Sequence, residues 1–144
     1  MSCTIRDARL EDASALTRLT REELGYDYPE DRLRAHLEAF LPDSRQKILV
    51  AEQGGEVLGY LQLMDYDSLY GEPMKTVMGI AVSSSHRGEG IGRALLEAGE
   101  EWARATGAAG IRLTSGESRS GAHDFYRHCG YEEVKRQLYF RKMF

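Results

Sequence analysis

Cysteine, proline and tryptophan are all scarce here, with two, three and one respectively in 144 residues. Two cysteines, Cys3 and Cys129, are too few for a disulfide framework and lack the paired spacing of a zinc site, so the chain is expected in a reducing cytoplasm. Long apolar runs are missing too. None approaches the length that spans a bilayer, and the opening residues MSCTIRDARLED lack the apolar core of a signal peptide, so neither a membrane nor a leader is expected. There is no basic block: 19 Lys plus Arg stand against 23 Asp plus Glu, a formal net charge of -4, which argues against nucleic acid as a partner. An acidic surface biases approach toward cationic small molecules or lysine side chains, screened by salt. With no repeat, low-complexity tract or linker, residues 1–144 read as one domain.

The apolar pattern predicts the elements. Thr4 to Asp7 reads as a strand. A helix starts at Asp12, carries Leu16, Leu19 and Leu24 on one face and ends at Gly25. A second helix begins at Pro29, repeats Leu33, Leu37, Phe40 and Leu41, and stops at Pro42. Ile48 to Glu52 and Glu56 to Met64 flank Gln53-Gly54-Gly55 and read as a hairpin whose turn needs positive φ. Thr76 to Val82 reads as a strand buried on both faces, with Gly79 marking a bulge. A helix then runs from Gly90 to Thr106 with Ile91, Ala94, Leu95, Ala98 and Trp102 on one stripe. Gly110 to Thr114 is a strand, Gly121 to Cys129 a helix, and Tyr131 to Phe140 a closing strand. That order predicts an α/β fold of the α+β kind, a mixed sheet with helices on both faces.

Between the strand ending at Val82 and the following helix lies Ser85-His86-Arg87-Gly88-Glu89-Gly90-Ile91-Gly92. Three alternating glycines let successive N–H groups turn toward one anion at a helix N-terminus, and a diphosphate is the natural guest. Arg87 adds a permanent cation and Arg93, in the first helical turn, a second. The competing reading is a tight turn with close helix–sheet contact. The Rossmann fingerprint would need glycine where Arg93 stands, and a P-loop would need the Lys-Ser/Thr that is absent.

This loop resembles the coenzyme A loop of the GNAT superfamily of N-acetyltransferases, Arg/Gln-x-x-Gly-x-Gly/Ala, met here by Arg87, Gly90 and Gly92. Ile80-Ala81-Val82 before it also fits, although Ser84 stands where that strand often continues through proline. Ala122-His123-Asp124-Phe125-Tyr126-Arg127-His128-Cys129-Gly130-Tyr131 is similar to the family's Ala-x-x-Phe-Tyr-x-x-x-Gly-Phe/Tyr run. The resemblance implies one domain with a mainly antiparallel mixed sheet, acetyl-coenzyme A as cosubstrate, an amine acceptor on a small molecule or peptide, and a homodimer. It assigns cofactor contacts to Ile80, Ala81, Val82, Arg87, Gly88, Gly90, Ile91, Gly92 and Arg93. Arg119, at the position where many relatives carry Asn, is counted with them.

The chemistry needs a proton acceptor, because an alkyl amine of pKa about 10.4 is protonated at pH 7. It also needs an acid for the departing thiolate. Tyr126 is the candidate acid, placed beside the sulfur by the resemblance; core packing is the other reading of this side chain. The base is open. The strand Thr76 to Val82 holds no carboxylate, so a water relay through backbone carbonyls is one route, and Glu22, Glu23, Asp65, Asp67 and Glu72 are the available acids. Backbone N–H near Val82 is implied as the oxyanion donor. Tyr26, Tyr28, Tyr66 and Tyr70 with Asp27, Asp65 and Asp67 either enclose an ammonium group or pack onto the sheet. His86 adjoins the loop. His123 and His128, five apart, do not share a helical face, and no metal is expected. No cysteine is poised as an acyl carrier, which favours direct transfer in a ternary complex over a covalent intermediate. A catalytically silent acyl-coenzyme A binding module is the alternative.

Overall fold

The structure, a computed structural model, describes residues 3–144. They divide into two compact units, 1–113 and 114–144, taken here in turn.

The first unit is built on a five-stranded sheet in the order β1-β2-β3-β4-β5. β1 (Thr4–Asp7), β2 (Gln46–Gln53), β3 (Glu56–Tyr66) and β4 (Met74–Val82) run antiparallel to their neighbours, and β5 (Ile111–Arg112) is parallel to β4. The β2–β3 hairpin turns through Gly54 and Gly55, both at positive φ, as the Gln53-Gly54-Gly55 spacing predicts. α1 (Ala13–Leu24) and α2 (Glu30–Phe40) lie between β1 and β2; α3 (Ile91–Ala105) joins β4 to β5.

The helices cover opposite faces of the sheet because its strands alternate. Val50, Val57 and Ala81 join Leu16, Leu19 and Leu37 of α1 and α2 in one buried cluster. On the other face Leu61 and Leu63 meet α3, which buries Ile91, Leu95, Leu96, Gly99 and Ala103. α1 ends where its sequence says it should. Gly25 takes the left-handed conformation at φ 79° and its N–H bonds the Arg21 carbonyl at 3.2 Å, the closure of a glycine-terminated helix, while the N–H of Tyr26 reaches back to the Thr20 carbonyl at 3.2 Å.

An ion cluster ties β1, β2 and the turn before α1 together. The Arg6 guanidinium donates to Asp12 at 2.9 and 3.0 Å and to Glu52 at 2.7 and 2.9 Å, while Asp12 also accepts the Arg9 N–H at 2.8 Å. Burial disfavours the Asp12 charge, but the Arg6 and Arg9 hydrogen bonds outweigh it and hold its carboxyl below the ordinary value.

Three expectations need correction. Tyr131 to Phe140 is not a strand: among the described residues, 132–144 form no backbone ladder. β4 is not buried on both faces: Met78 is 55% exposed. The β3–β4 register skips Met78, since Gln62 pairs with Gly79 and Leu63 with Val77, which places the bulge beside Gly79. The strand expected over Gly110 to Thr114 shortens to Ile111–Arg112, the only described residues of that segment that pair with β4.

In the second unit α4 (Ser120–His128) starts after Arg119 and ends at Cys129, and Gly130 turns left-handed at φ 91°. The reversal lets the Tyr131 N–H bond the Tyr126 carbonyl at 2.9 Å and brings the two rings edge to face at 6.3 Å.

Gly59 of β3 lies against both β4 and α3. A Cβ there would sit 2.9 Å from the Ala81 carbonyl oxygen, 3.3 Å from Leu95 Cδ1 and 3.4 Å from Ile91 Cγ2. Gly59→Ala is therefore expected to destabilise the protein by about 1–3 kcal/mol through overpacking. Urea unfolding with an unchanged m-value measures it; a stability equal to the parent's would contradict the close approach.

Candidate functional site

β4 and α3 together create two sets of unsatisfied backbone donors in the first unit. β4 pairs with β5 only at Lys75 and Thr76, so from Val77 to Val82 its edge away from β3 has no strand partner among the described residues. Ser83 donates its N–H to the Leu58 carbonyl at 2.7 Å, and Ala81 pairs with Tyr60. Strand alternation then directs the N–H groups of Ile80 and Val82 to the open edge. The Met78 bulge shifts the alternation between the β5-paired end and this open end.

The second set lies at the helix. β4 leads through a single 3-10 turn, Ser84–His86, into a loop in which Gly88 and Gly90 are both left-handed at φ 82°. A Cβ at either would meet nothing within 4 Å, so the glycines serve backbone conformation and leave the space in front of the loop clear. The first helical hydrogen bond is Ala94 N–H to Gly90 at 3.0 Å, and the N–H groups of Arg87 to Arg93 donate none to the described residues. These donors and the positive end of a 15-residue helix dipole suit an anion.

The predicted cofactor residues play unequal parts. Ile91 and Ala81 are buried, so their side chains belong to the core and only their backbones can serve a ligand. Arg93 is exposed and pairs with Glu97 one turn on at 3.3 Å. His86 reaches Glu89 at 3.2 Å, both at the surface of the loop.

Arg87 is held from behind. Glu23, in the last turn of α1, accepts Arg87 Nη2 at 2.8 Å through one carboxylate oxygen and the Ser84 N–H at 3.0 Å through the other. Its side chain is 7% exposed. Sequence spacing could single out Glu23 only as one of several acids, because the contact closes over 64 residues. Asp65 is likewise engaged: it accepts Lys75 Nζ at 2.6 Å, and that ammonium lies 4.4 Å from the Trp102 ring centre. Among the tyrosines, Tyr28 bonds His36 at 2.9 Å and the Tyr66 face carries Arg112 at 4.3 Å, whereas Tyr26 and Tyr70 are exposed. Tyr28 and Tyr66 thus have partners from the protein itself.

In the second unit Phe125 and Tyr126 are both half-buried, with rings 5.4 Å apart. Burial raises the Tyr126 phenol above its ordinary value, opposed by the Arg119 charge. His123 bonds the Gly116 carbonyl and His128 the Asp124 carbonyl, each within this unit. No group of three or more His, Cys, Asp or Glu among the described residues is placed to hold a metal ion.

Glu23→Ala is expected to leave the Ser84 N–H without its acceptor, cost about 1–3 kcal/mol of stability and speed amide exchange at Ser84. Glu22→Ala, on the exposed side of the same turn, is expected to change neither. Equal exchange at Ser84 in both variants would dismiss Glu23 as the anchor of the loop.

The sequence profile described as "Acetyltransferase (GNAT) family" matches residues 13–131. The chain is 32% identical over 143 residues to an aminoglycoside N(6')-acetyltransferase type 1 of Stenotrophomonas maltophilia, covering 96% of this chain and 92% of that one. It is 30% identical over 132 residues to an aminoalkylphosphonate N-acetyltransferase of Salmonella typhimurium, covering 91% and 86%. Among solved structures, the aminoglycoside N-acetyltransferase AAC(6')-Iy in complex with CoA shares the fold at a TM-score of 0.89 and 20% identity, covering 98% of this chain and 95% of that one. With a loop of free amides beside an open strand edge, and with relatives matched along nearly its whole length, the chain belongs to the GNAT family of acetyltransferases.

Proposed function

We propose that this enzyme moves the acetyl group of acetyl-coenzyme A directly to a primary amine of a small molecule or peptide, both substrates being bound at once. The observation that carries this reading is the adjacency of the open β4 edge to the unsatisfied amides of Arg87 to Arg93. The coenzyme's diphosphate suits the amides and the Arg87 charge, while its amide-bearing pantetheine arm can pair with the edge N–H and C=O groups of Ile80 to Val82 as a strand would. Arg119 is proposed as a further contact to that arm. Polycationic amino sugars are the first acceptor class to test, given the aminoglycoside-acetylating relative and the net charge of -4.

In the reaction the neutral amine nitrogen attacks the thioester carbon, the carbonyl electrons move to oxygen, and the collapse of that intermediate breaks the C–S bond. The Val82 N–H, unclaimed by β3, is the proposed oxyanion donor. Tyr126 is the proposed acid for the leaving sulfur, supported by its motif and by a phenol that burial keeps protonated. No carboxylate lies on β4, and Asp65 and Glu23 are held in ion pairs, which favours water as the carrier of the amine's proton. The same observation favours the second reading, a silent acyl-coenzyme A binding module. Amine-dependent release of free thiol across aminoglycosides, polyamines, amino acids and lysine peptides separates the two, and silence across that panel supports the module.

Gly90→Glu is expected to abolish the rise in melting temperature that coenzyme A produces in the parent, because it strains a left-handed position and sets a carboxylate against the anion. A retained shift would move the diphosphate elsewhere. Tyr126→Phe should leave that shift intact and lower kcat by about 10²- to 10⁴-fold. The sign with pH is fixed by the raised phenol: its active form is protonated, so Tyr126 contributes a loss of activity as pH rises through a value above the ordinary tyrosine range, and this alkaline limb vanishes in the variant. An unchanged kcat removes Tyr126 from the mechanism.

A further inference from the structure

Tyr60 of β3 pairs with Ala81, inside the stretch of β4 whose other edge is open, and it carries a hydroxyl that the mechanism above leaves unused. Its ring packs against the core cluster of α1 and α2, and the hydroxyl lies 2.6 Å from Thr20 Oγ1. Thr20 in turn donates to the Leu16 carbonyl, one helical turn back, at 2.7 Å. A carbonyl oxygen can only accept, so the single Thr20 proton is committed to it. The proton between Thr20 and Tyr60 is therefore the tyrosine's. The chain of hydrogen bonds has one direction, from Tyr60 O–H to Thr20 and from Thr20 O–H to Leu16, and the phenolic oxygen presents only lone pairs to an approaching group. Burial raises the Tyr60 phenol above its ordinary value, so it is protonated at neutral pH and the direction holds.

Gly79 leaves that oxygen reachable from the strand. A Cβ at Gly79 would stand 3.9 Å from the Tyr60 hydroxyl oxygen and 3.7 Å from Leu24 Cδ1, both ordinary contacts. Its φ is not positive either. Neither crowding nor a left-handed backbone requires glycine here. The missing side chain instead uncovers the hydroxyl toward β4, next to the exposed Met78 at which the register skips.

We propose that Tyr60 is a catalytic residue that receives the acceptor amine: its phenolic oxygen accepts one amine N–H and turns the nitrogen lone pair toward the thioester, with Thr20 as the positioning residue that holds the tyrosine proton away. This assignment rests on the acetyl transfer proposed above and gives the acceptor its own contact. Tyr60 forms no covalent bond to the substrate and neither takes nor gives a proton. An ammonium group has three N–H donors and a neutral amine two, so both protonation states are held, and the contact survives the loss of the proton that frees the lone pair. A phenol left to rotate would donate to the neutral amine and occupy the electrons that must attack. Orientation of a bound nucleophile is a large part of what a binary encounter in water lacks.

Turnover is measured with the panel amine of highest rate. Tyr60→Phe is expected to lower kcat/KM for that amine about 10- to 100-fold, the scale of one hydrogen bond to a charged or reacting group, with the KM for acetyl-coenzyme A and the melting shift with coenzyme A unchanged. Thr20→Val, which keeps the tyrosine, should give a similar fall, and Thr20→Ser should restore the parent rate. The Tyr60→Phe, Thr20→Val double variant should be no slower than the slower single one, because both act through one oxygen. Parent kcat/KM in Tyr60→Phe overturns the proposal and leaves acetyl transfer standing. A fall in which the coenzyme constants and the melting temperature move together marks a structural role and overturns it as well. Binding is read without turnover. In coenzyme A-saturated protein labelled with carbon-13 at the tyrosine ζ carbons, the Tyr60 resonance, identified by its absence in Tyr60→Phe, should move on titration with kanamycin, spermidine or n-butylamine. Movement without turnover anywhere in the panel supports the amine contact and sinks acetyl transfer; a resonance unmoved by all three overturns the contact.

Discussion

The approach of α3 to the sheet is the constraint on which the rest of the first unit depends. Two glycines set it. Gly59 gives up its side chain on β3, where a Cβ would sit 3.3 Å from Leu95 Cδ1 and 3.4 Å from Ile91 Cγ2, and Gly99 gives up its own on α3, where a Cβ would sit 2.7 Å from Leu63 Cδ1. With Leu61, Leu63, Leu95 and Leu96 all fully buried at this contact, the helix is fixed in height and angle, and its first residue Ile91 is buried with it. The chain must then travel from the end of β4 to that fixed point in eight residues, 83–90. A reversal so short is made by a 3-10 turn and two left-handed residues, which glycine adopts without the steric cost of a Cβ. Free amides facing one space are the geometric result.

The electrostatics of the loop follow from α1. A buried carboxylate beside an anion site looks self-defeating, yet Glu23 uses one oxygen on the Ser84 N–H and the other on Arg87. A guanidinium offers five N–H donors in a planar fork, and Glu23 occupies a donor on one edge. The remaining donors stay available, and the side chain loses the rotamer freedom that an unanchored surface arginine would have to give up on binding. The left-handed Gly25, whose N–H bonds the Arg21 carbonyl, ends α1 immediately after this turn, fixing where Glu23 stands.

How much of this was legible in the sequence depends on how local the cause is. The hairpin at Gly54-Gly55, the end of α1 at Gly25 and the start of α3 at Gly90 are encoded within a few residues, and each lies where the pattern places it. The bulge was legible at Gly79, although the skipped residue is its neighbour Met78. The open edge of β4 was not legible, because an apolar run reads alike whether the strand has two neighbours or one, and β5 pairs over two residues. The closing strand failed for a related reason: alternation and propensity report what a segment prefers, and a ladder needs a partner. Glu23 could not be ranked above Glu22 or Asp65, since only the fold brings residues 23 and 87 together.

The proposed acid poses a thermodynamic question that the phenol's environment answers. A coenzyme thiol of pKa about 8.5 is a stronger acid than an ordinary tyrosine of about 10, so complete proton transfer to the departing thiolate is uphill by roughly 2 kcal/mol. Burial, which raises Tyr126 further, increases that gap. The gap matters less than it first suggests, because the barrier concerns the partly broken C–S bond. There, sulfur gains charge and basicity as its bond to carbon breaks, and a protonated phenol stabilises the growing charge by donating a hydrogen bond without having to give up its proton completely. A group with a pKa near 7 would be half deprotonated at working pH and would set a second anion beside the thiolate. The Arg119 charge, which opposes the upward shift, limits how far burial can carry the phenol from the sulfur it is proposed to serve.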